Sequence, residues 1–189
     1  MEISLIRHGK SKHIDNNKMA CHEFNDWIEN YNNRGVFEEN SYPLETLEKV
    51  STANIIITSH LKRSIVSAKL LNPNVKAISS SLFRETELRA PSKKFWGLKF
   101  TPSLWAIILR CLWFTGYSNG CESLSSAKQR ANKAAGELVD YAQKHKSVAF
   151  VGHGFINLLI AKELQEMGWK GKRRTDSKHW SCTTYTLFS

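Results

Sequence analysis

The 189 residues suffice for one domain with a core that buries most of its apolar surface. With 41% hydrophobic and 23% charged residues and no low-complexity tract, the composition excludes a disordered or fibrous chain. A net charge of +10, from 27 Lys and Arg against 17 Asp and Glu, favours anionic ligands without saying which.

Residues 2–6 form a short β-rich run that ends at Arg7-His8-Gly9, where glycine permits a tight turn. Ile55-Ile56-Ile57 is an unbroken β-branched run, the mark of a strand buried on both faces. Thr58 and Ser59 follow as candidate caps of a helix that carries Leu61, Ile65, Ala68 and Leu71 on one stripe, with Pro73 just past its end. Residues 75–78 suit a short strand. In 95–117 the apolar residues Leu104, Ile107, Ile108 and Leu112 at helical spacing predict a helix facing the core, with a lid over a pocket or a contact with a second copy of the chain as the sharper readings of so aromatic a segment. From 122 to about 144 the spacing predicts a long amphipathic helix with Ala127, Ala131, Ala134, Leu138 and Tyr141 on its stripe. Residues 147–151 read as another buried strand ending at Gly152-His153-Gly154, and 155–167 as a helix stopped by Gly168. The basic cluster Lys170, Lys172, Arg173, Arg174 reads as a solvated loop, and 183–188 as a last strand at a sheet edge.

Strands alternating with helices predict an α/β fold, a three-layer α/β/α sandwich on a mostly parallel central sheet. No linker or repeat divides 1–189, so one domain is expected, with a variable segment at about 86–121. The four cysteines, Cys21, Cys111, Cys121 and Cys182, form no CxxC pair, so free thiols and a cytoplasmic location are expected. The N-terminal apolar stretch is too short for an export signal, and 104–114 falls short of the ~20 residues that span a bilayer.

Ligands of an open α/β sheet bind beyond the C-terminal ends of its strands. Three such ends carry phosphate-type chemistry here: Arg7-His8-Gly9, Thr58-Ser59 leading to Arg63, and Gly152-His153-Gly154. If the strands are parallel, these residues converge.

With those motifs placed, the sequence resembles the histidine phosphatase superfamily, the group that includes cofactor-dependent phosphoglycerate mutase. The resemblance rests on Leu5-Ile6-Arg7-His8-Gly9-Lys10-Ser11, Thr58-Ser59-His60-Leu61-Lys62-Arg63-Ser64, Phe83-Arg84-Glu85, Glu122-Ser123-Leu124 and Val151-Gly152-His153-Gly154. It implies a phosphatase in which His8 is the nucleophile, forming a phosphohistidine that water hydrolyses. Arg7 and Arg63 would hold phosphate oxygens through guanidinium forks, with Ser11 as a further phosphate contact. His153 would donate to a phosphoryl oxygen in the transition state, beside a helix starting at Gly154 whose amide dipoles favour the same anion. A carboxylic acid after the third strand would protonate the leaving group, and Glu85 fits that position better than Glu87. His8 as base and Glu85 as acid together predict a bell-shaped pH profile.

Two departures stand out. The family often places an asparagine seven residues after the first arginine; that position is Ile14, with Asn16 and Asn17 as nearby substitutes. Many members also follow the acid with a glycine-tryptophan pattern, whereas Arg89-Ala90-Pro91 precedes Trp96-Gly97 here. No metal ligand set and no cofactor motif is readable. The expected partners are a small phosphorylated substrate or a phosphoprotein, with inorganic phosphate as product and a homodimer as a further candidate. Nucleic acid is not expected, for want of an aromatic-basic motif. A phosphoglycerate-mutase-type transfer and a non-catalytic phospholigand-binding protein are the competing readings.

Overall fold

Alternation along the first strand creates two cores from one run of sequence. In β1 (Glu2–Arg7), Ile3 and Leu5 face one side and Ile6 the other, all at 1% exposure or less. The computed structural model describes residues 1–91, 97–118 and 120–188. After β1 come β2 (Met19–Ala20), α1 (Glu23–Asn33), α2 (Leu44–Thr52), β3 (Ile55–Ser59), α3 (Lys62–Leu71) and β4 (Ile78–Ser80). A 3-10 turn, Ser81–Phe83, leads on towards β5 (Lys99–Phe100), α4 (Pro102–Phe114), α5 (Leu124–His145), β6 (Ser147–Gly152), α6 (Gly154–Glu166), β7 (Lys170–Gly171) and β8 (Cys182–Thr186).

The main sheet has the order β4-β3-β6-β1-β8-β7. Its first four strands are parallel, and β8 and β7 are antiparallel additions. α5 and α6 cover one face, where Ala127, Ala131, Ala134 and Ala135 let the α5 backbone come close to Ile3, Leu5 and Phe150. α2 and α3 cover the other face with Val50, Ala68 and Leu71 against Ile56, Ala149 and Val151. This is the expected α/β/α arrangement. A third apolar cluster lies away from the sheet, where Phe24 of α1 meets Trp105 and Leu109 of α4 beside the β2–β5 pair.

Several local expectations are corrected. The strand foreseen at 75–78 begins at Ile78, because the turn at Pro73-Asn74 closes with the Val75 amide on the Asn72 carbonyl and delays pairing to Ile57↔Ile78. The last strand is not at the edge: Lys170–Gly171, foreseen as loop, pairs outside it. In α4 the buried residues are Pro102, Trp105, Leu109 and Trp113; of the foreseen stripe, Ile108 and Leu112 pack partly buried against the third cluster while Leu104 and Ile107 are exposed. Indole rings filled the core in place of the smaller aliphatics. The long helix starts at Leu124, capped by Ser123, because Glu122 is engaged elsewhere. Helices α1 and α2 had no foreseen counterpart. Trp96, part of the aromatic segment singled out in the sequence, lies outside the described residues. Among the described residues, no helix is long and apolar enough to cross a membrane.

Candidate active site

Parallel β1, β3 and β6 end side by side, and their C-terminal residues deliver Arg7-His8, Ser59 and Gly152-His153 to one place. The His8 amide continues the ladder onto the Gly152 carbonyl at 3.0 Å. Its ring Nδ1 lies 2.7 Å from the Gly9 carbonyl oxygen. A carbonyl only accepts, so Nδ1 carries the proton and Nε2 keeps the lone pair. The Nε–H of Arg63 points at that Nε2 from 3.3 Å, which agrees with the tautomer. Burial lowers the His8 pKa well below the ordinary 6.5, and the Arg63 guanidinium beside it acts in the same direction against the opposing Gly9 hydrogen bond. A neutral, buried imidazole with its lone pair free of protons is a nucleophile at neutral pH.

Arg63 is itself 2% exposed. Its Nη1 donates to the Tyr31 carbonyl and to Asn32 Oδ1, each at 2.8 Å, and its guanidinium carbon sits 4.2 Å above the Tyr31 ring. Arg7 donates from Nη1 to the Ser177 carbonyl, while its Nε is buried without a partner. Gly154 permits this approach, since a Cβ there would stand 3.3 Å from Arg7 Nε. Among the described residues neither arginine has a carboxylate within ion-pair distance. Two guanidiniums without counter-ions beside neutral imidazoles form an anion site.

His153 is fully buried, with its ring centroid 5.0 Å from that of His8. Burial lowers its pKa well below the ordinary value, with His8 and Arg63 adding to the effect. Its Nε2 lies 2.6 Å from Ser59 Oγ, while its Nδ1 is buried with no partner. When the Ser59 hydroxyl donates to Nε2, the ring proton resides on Nδ1, the nitrogen left for a ligand. Ser59 Oγ also accepts from the Leu61 amide at 3.2 Å, although Leu61 rather than Thr58 or Ser59 is the N-cap of α3.

The segment before β8 closes the site. The Trp180 amide donates to the Arg7 carbonyl and the Arg7 amide to the Ser181 carbonyl, both at 3.0 Å. His179 Nδ1 donates to the His8 carbonyl at 3.0 Å, and its ring centroid is 5.6 Å from that of His8. A Cβ at position 9 would come within 2.0 Å of the Trp180 indole, so it is this close approach that requires Gly9. Trp180 holds φ at +63°, an uncommon conformation for a bulky residue.

Glu85 stands at the start of α6. Its Oε2 accepts from the Phe155 amide at 3.1 Å and its Oε1 from the Ile156 and Thr86 amides at 3.0 and 2.9 Å. The loop that carries it is tied down by Arg130, which donates to the Leu82 and Arg84 carbonyls at 2.8 Å and grips Glu122 bidentately at 2.7 and 2.6 Å. Glu87 is exposed and pairs with Arg84 at 3.3 Å. Beyond Arg63 and Glu85 opens a cavity of about 460 Å³, walled by Phe24, Trp27, Tyr31 and Leu88 with Arg84 and Arg110.

The structure thus brings His8, His153, Arg7 and Arg63 together, with Glu85 at the cavity edge. Ser11 is buried close by in the chain, but its Oγ accepts from the His13 amide at 3.1 Å and, among the described residues, makes no hydrogen bond to the other site residues. Ile14 is exposed, as are Asn16 and Asn17; the asparagine that reaches the site is Asn32, from a helix the sequence pattern did not reveal. Tyr31, His179 and Arg130 also escaped sequence reasoning. Ser59 was singled out as a helix cap and as part of a phosphate-type strand end, but not as the partner of His153. Among the described residues, no group of three or more His, Cys, Asp or Glu side chains is arranged to hold a metal ion.

The sequence pattern of the histidine phosphatase superfamily (branch 1) matches residues 3–188. No curated protein matches the chain in sequence. Among solved structures, alpha-ribazole phosphatase from Shigella flexneri is similar at 18% identity and a TM-score of 0.54, over 96% of this chain and 89% of that one. Mycobacterial glucosyl-3-phosphoglycerate phosphatase is 18% identical with a TM-score of 0.55, over 87% and 79% of the two chains. Phosphoserine phosphatase from Entamoeba histolytica is 16% identical with a TM-score of 0.52, over 97% and 89%. At such identities the likeness is one of fold.

Proposed function

Because the chain belongs to the histidine phosphatase superfamily, we propose that it is a metal-independent phosphomonoesterase acting through a phosphohistidine on His8. The observation that carries this reading is the His8 Nε2 lone pair, held in a buried pocket beside two arginines that, among the described residues, have no carboxylate within ion-pair distance. Arg7 and Arg63 hold the phosphoryl oxygens, and Nε2 attacks phosphorus in line with the ester oxygen. The N–P bond forms as the P–O ester bond breaks, and Glu85 gives its proton to the leaving oxygen. His153 Nδ1–H donates to a phosphoryl oxygen as charge shifts. Water, deprotonated by Glu85, then breaks the N–P bond, releases inorganic phosphate and restores the Nε2 lone pair. The substrate is a phosphomonoester, small or carried on a protein. The leaving group enters the cavity beside the phosphate site.

Release of inorganic phosphate from p-nitrophenyl phosphate, measured in EDTA, tests the reading. We expect turnover in the wild type, none above background in His8→Ala, and an acid-labile phosphate on the wild-type protein in rapid quench. Equal rates in both proteins, or a rate abolished by the chelator, would overturn it.

A further inference from the structure

We propose that the cavity beside the phosphate site selects phosphomonoesters whose leaving group is an apolar or aromatic body bearing an anionic substituent, and that Arg110 binds that substituent. This inference rests on the phosphatase reading above for the identity of the cleaved bond.

The cavity floor is apolar: Phe24 and Trp27 stack 5.7 Å apart and nearly parallel, and Trp27 and Tyr31 stack at 5.0 Å. A continuous column of rings of this kind offers a flat face to an aromatic or extended apolar group. Tyr31 also lies beneath the Arg63 guanidinium, so the column begins where the phosphoryl group is held.

Across the cavity stands Arg110 of α4. Its guanidinium is clamped over the Trp113 ring at 4.8 Å and the Phe155 ring at 4.4 Å, and its Nη2 donates to the Thr86 carbonyl at 3.3 Å. Those contacts, with Thr86 next to Glu85 in the chain and with Phe155 whose amide Glu85 holds, place Arg110 close to Glu85 on the same cavity wall. A leaving group protonated by Glu85 therefore lies within the neighbourhood of Arg110. Arg110 Nη1 is buried with no hydrogen-bond partner, and among the described residues no carboxylate lies within ion-pair distance of it. Of the other arginines lining the cavity, Arg63 is given to the phosphoryl group and Arg84 is already paired with Glu87 and Glu122. A rigid, desolvated guanidinium with a donor to spare is what a carboxylate or a second phosphate binds best.

The experiment compares kcat/KM for phenyl phosphate and its 3- and 4-carboxy derivatives in wild type, Arg110→Gln, Arg110→Lys and Arg84→Gln. Dividing each carboxylated rate by the phenyl rate, and comparing proteins, cancels the intrinsic effect of the substituent on leaving-group reactivity. We expect the better carboxylated ester to lose about tenfold or more of its ratio in Arg110→Gln, to regain part in Arg110→Lys and to be little affected in Arg84→Gln. If Arg110 only supports the Glu85 loop, all three esters fall together and the ratio stays, which overturns the assignment. A ratio that collapses in Arg84→Gln instead also overturns it. Should none of the esters turn over, the phosphatase reading fails while the subsite is still read by calorimetric affinity: the carboxylated ester must bind wild type at least tenfold more tightly than phenyl phosphate, and Arg110→Gln must erase the difference.

Discussion

The tautomers of two histidines depend on two oxygen atoms. The Gly9 carbonyl fixes the His8 proton on Nδ1, and the Ser59 hydroxyl meets His153 at Nε2. Ser59 touches no reacting atom in this scheme and is a positioning residue. Ser59→Ala is expected to lower kcat by about tenfold with little change in KM, as for other bonds that orient an imidazole. Ser59→Thr, which keeps the hydroxyl, should restore most of it, and loss without rescue would point to a folding defect instead. The His8 pKa bears on pH in one direction. Burial and Arg63 hold it well below 6.5, so the nucleophile is already neutral at pH 6.5. The acid limb of kcat/KM for the free enzyme is therefore expected below pH 6.5, and a limb centred above 7 would contradict the burial of His8.

At the scale of elements, the loop that carries Glu85 is held from behind. Arg130 in α5 and Glu122 just before that helix are 8% and 7% exposed at their side chains; Arg130 donates to the carbonyls of Leu82 and Arg84, and Glu122 holds its guanidinium in place. Removing one partner leaves a buried charge and frees the loop. Glu122→Gln is expected to cost about 3–5 kcal/mol of unfolding free energy, read from the urea midpoint. Arg130→Met should lower kcat as well, because Glu85 then lacks its fixed support. A midpoint shift below about 1 kcal/mol would show the pair to be replaceable. The segment before β8 plays the corresponding part on the other side, with Trp180 seated against Gly9 and His179 on the His8 carbonyl.

For the whole molecule, the buried histidines couple stability to pH. The pKa values of His8 and His153 are depressed in the folded state, while the unfolded chain returns them to about 6.5. Below that pH the unfolded state binds more protons, so stability is full above about pH 6.5 and falls as the pH drops beneath it. The slope is expected to approach about 2.7 kcal/mol per pH unit for two such groups, measured by urea unfolding between pH 7 and 5. In the double variant His8→Asn, His153→Asn the slope should flatten; an unchanged slope would assign the acid sensitivity to His179, whose pKa burial also lowers, or to carboxylates. Inorganic phosphate binds only the folded site, and at 100 times its dissociation constant should add about 2.7 kcal/mol.

The residues of the site and the architecture that carries it were legible in the sequence because both are local. Strand-ending motifs at Arg7-His8, Ser59 and Gly152-His153 are read along the chain, and unbroken β-branched runs announce parallel strands buried on both faces. The geometry was not legible, because it is made between segments far apart in the chain. Asn32 and Tyr31 reach Arg63 from a helix whose polar sequence has only Phe24 buried, too little for an apolar stripe. The stripe of α4 was only half right, with Ile108 and Leu112 packed inward and Leu104 and Ile107 exposed, because helical spacing gives a stripe but not its direction, and the packing of Trp105 and Trp113 chose it. The sequence by itself determined which groups the chain brings to its strand ends: two imidazoles, two guanidiniums and, after the third strand, a carboxylic acid. Only the tertiary structure decided which nitrogen carries each proton, which guanidinium nitrogens are buried with a donor unused and what lies beyond the bond to be broken. Those depend on burial and on hydrogen bonds across the fold, and no spacing along the chain encodes them.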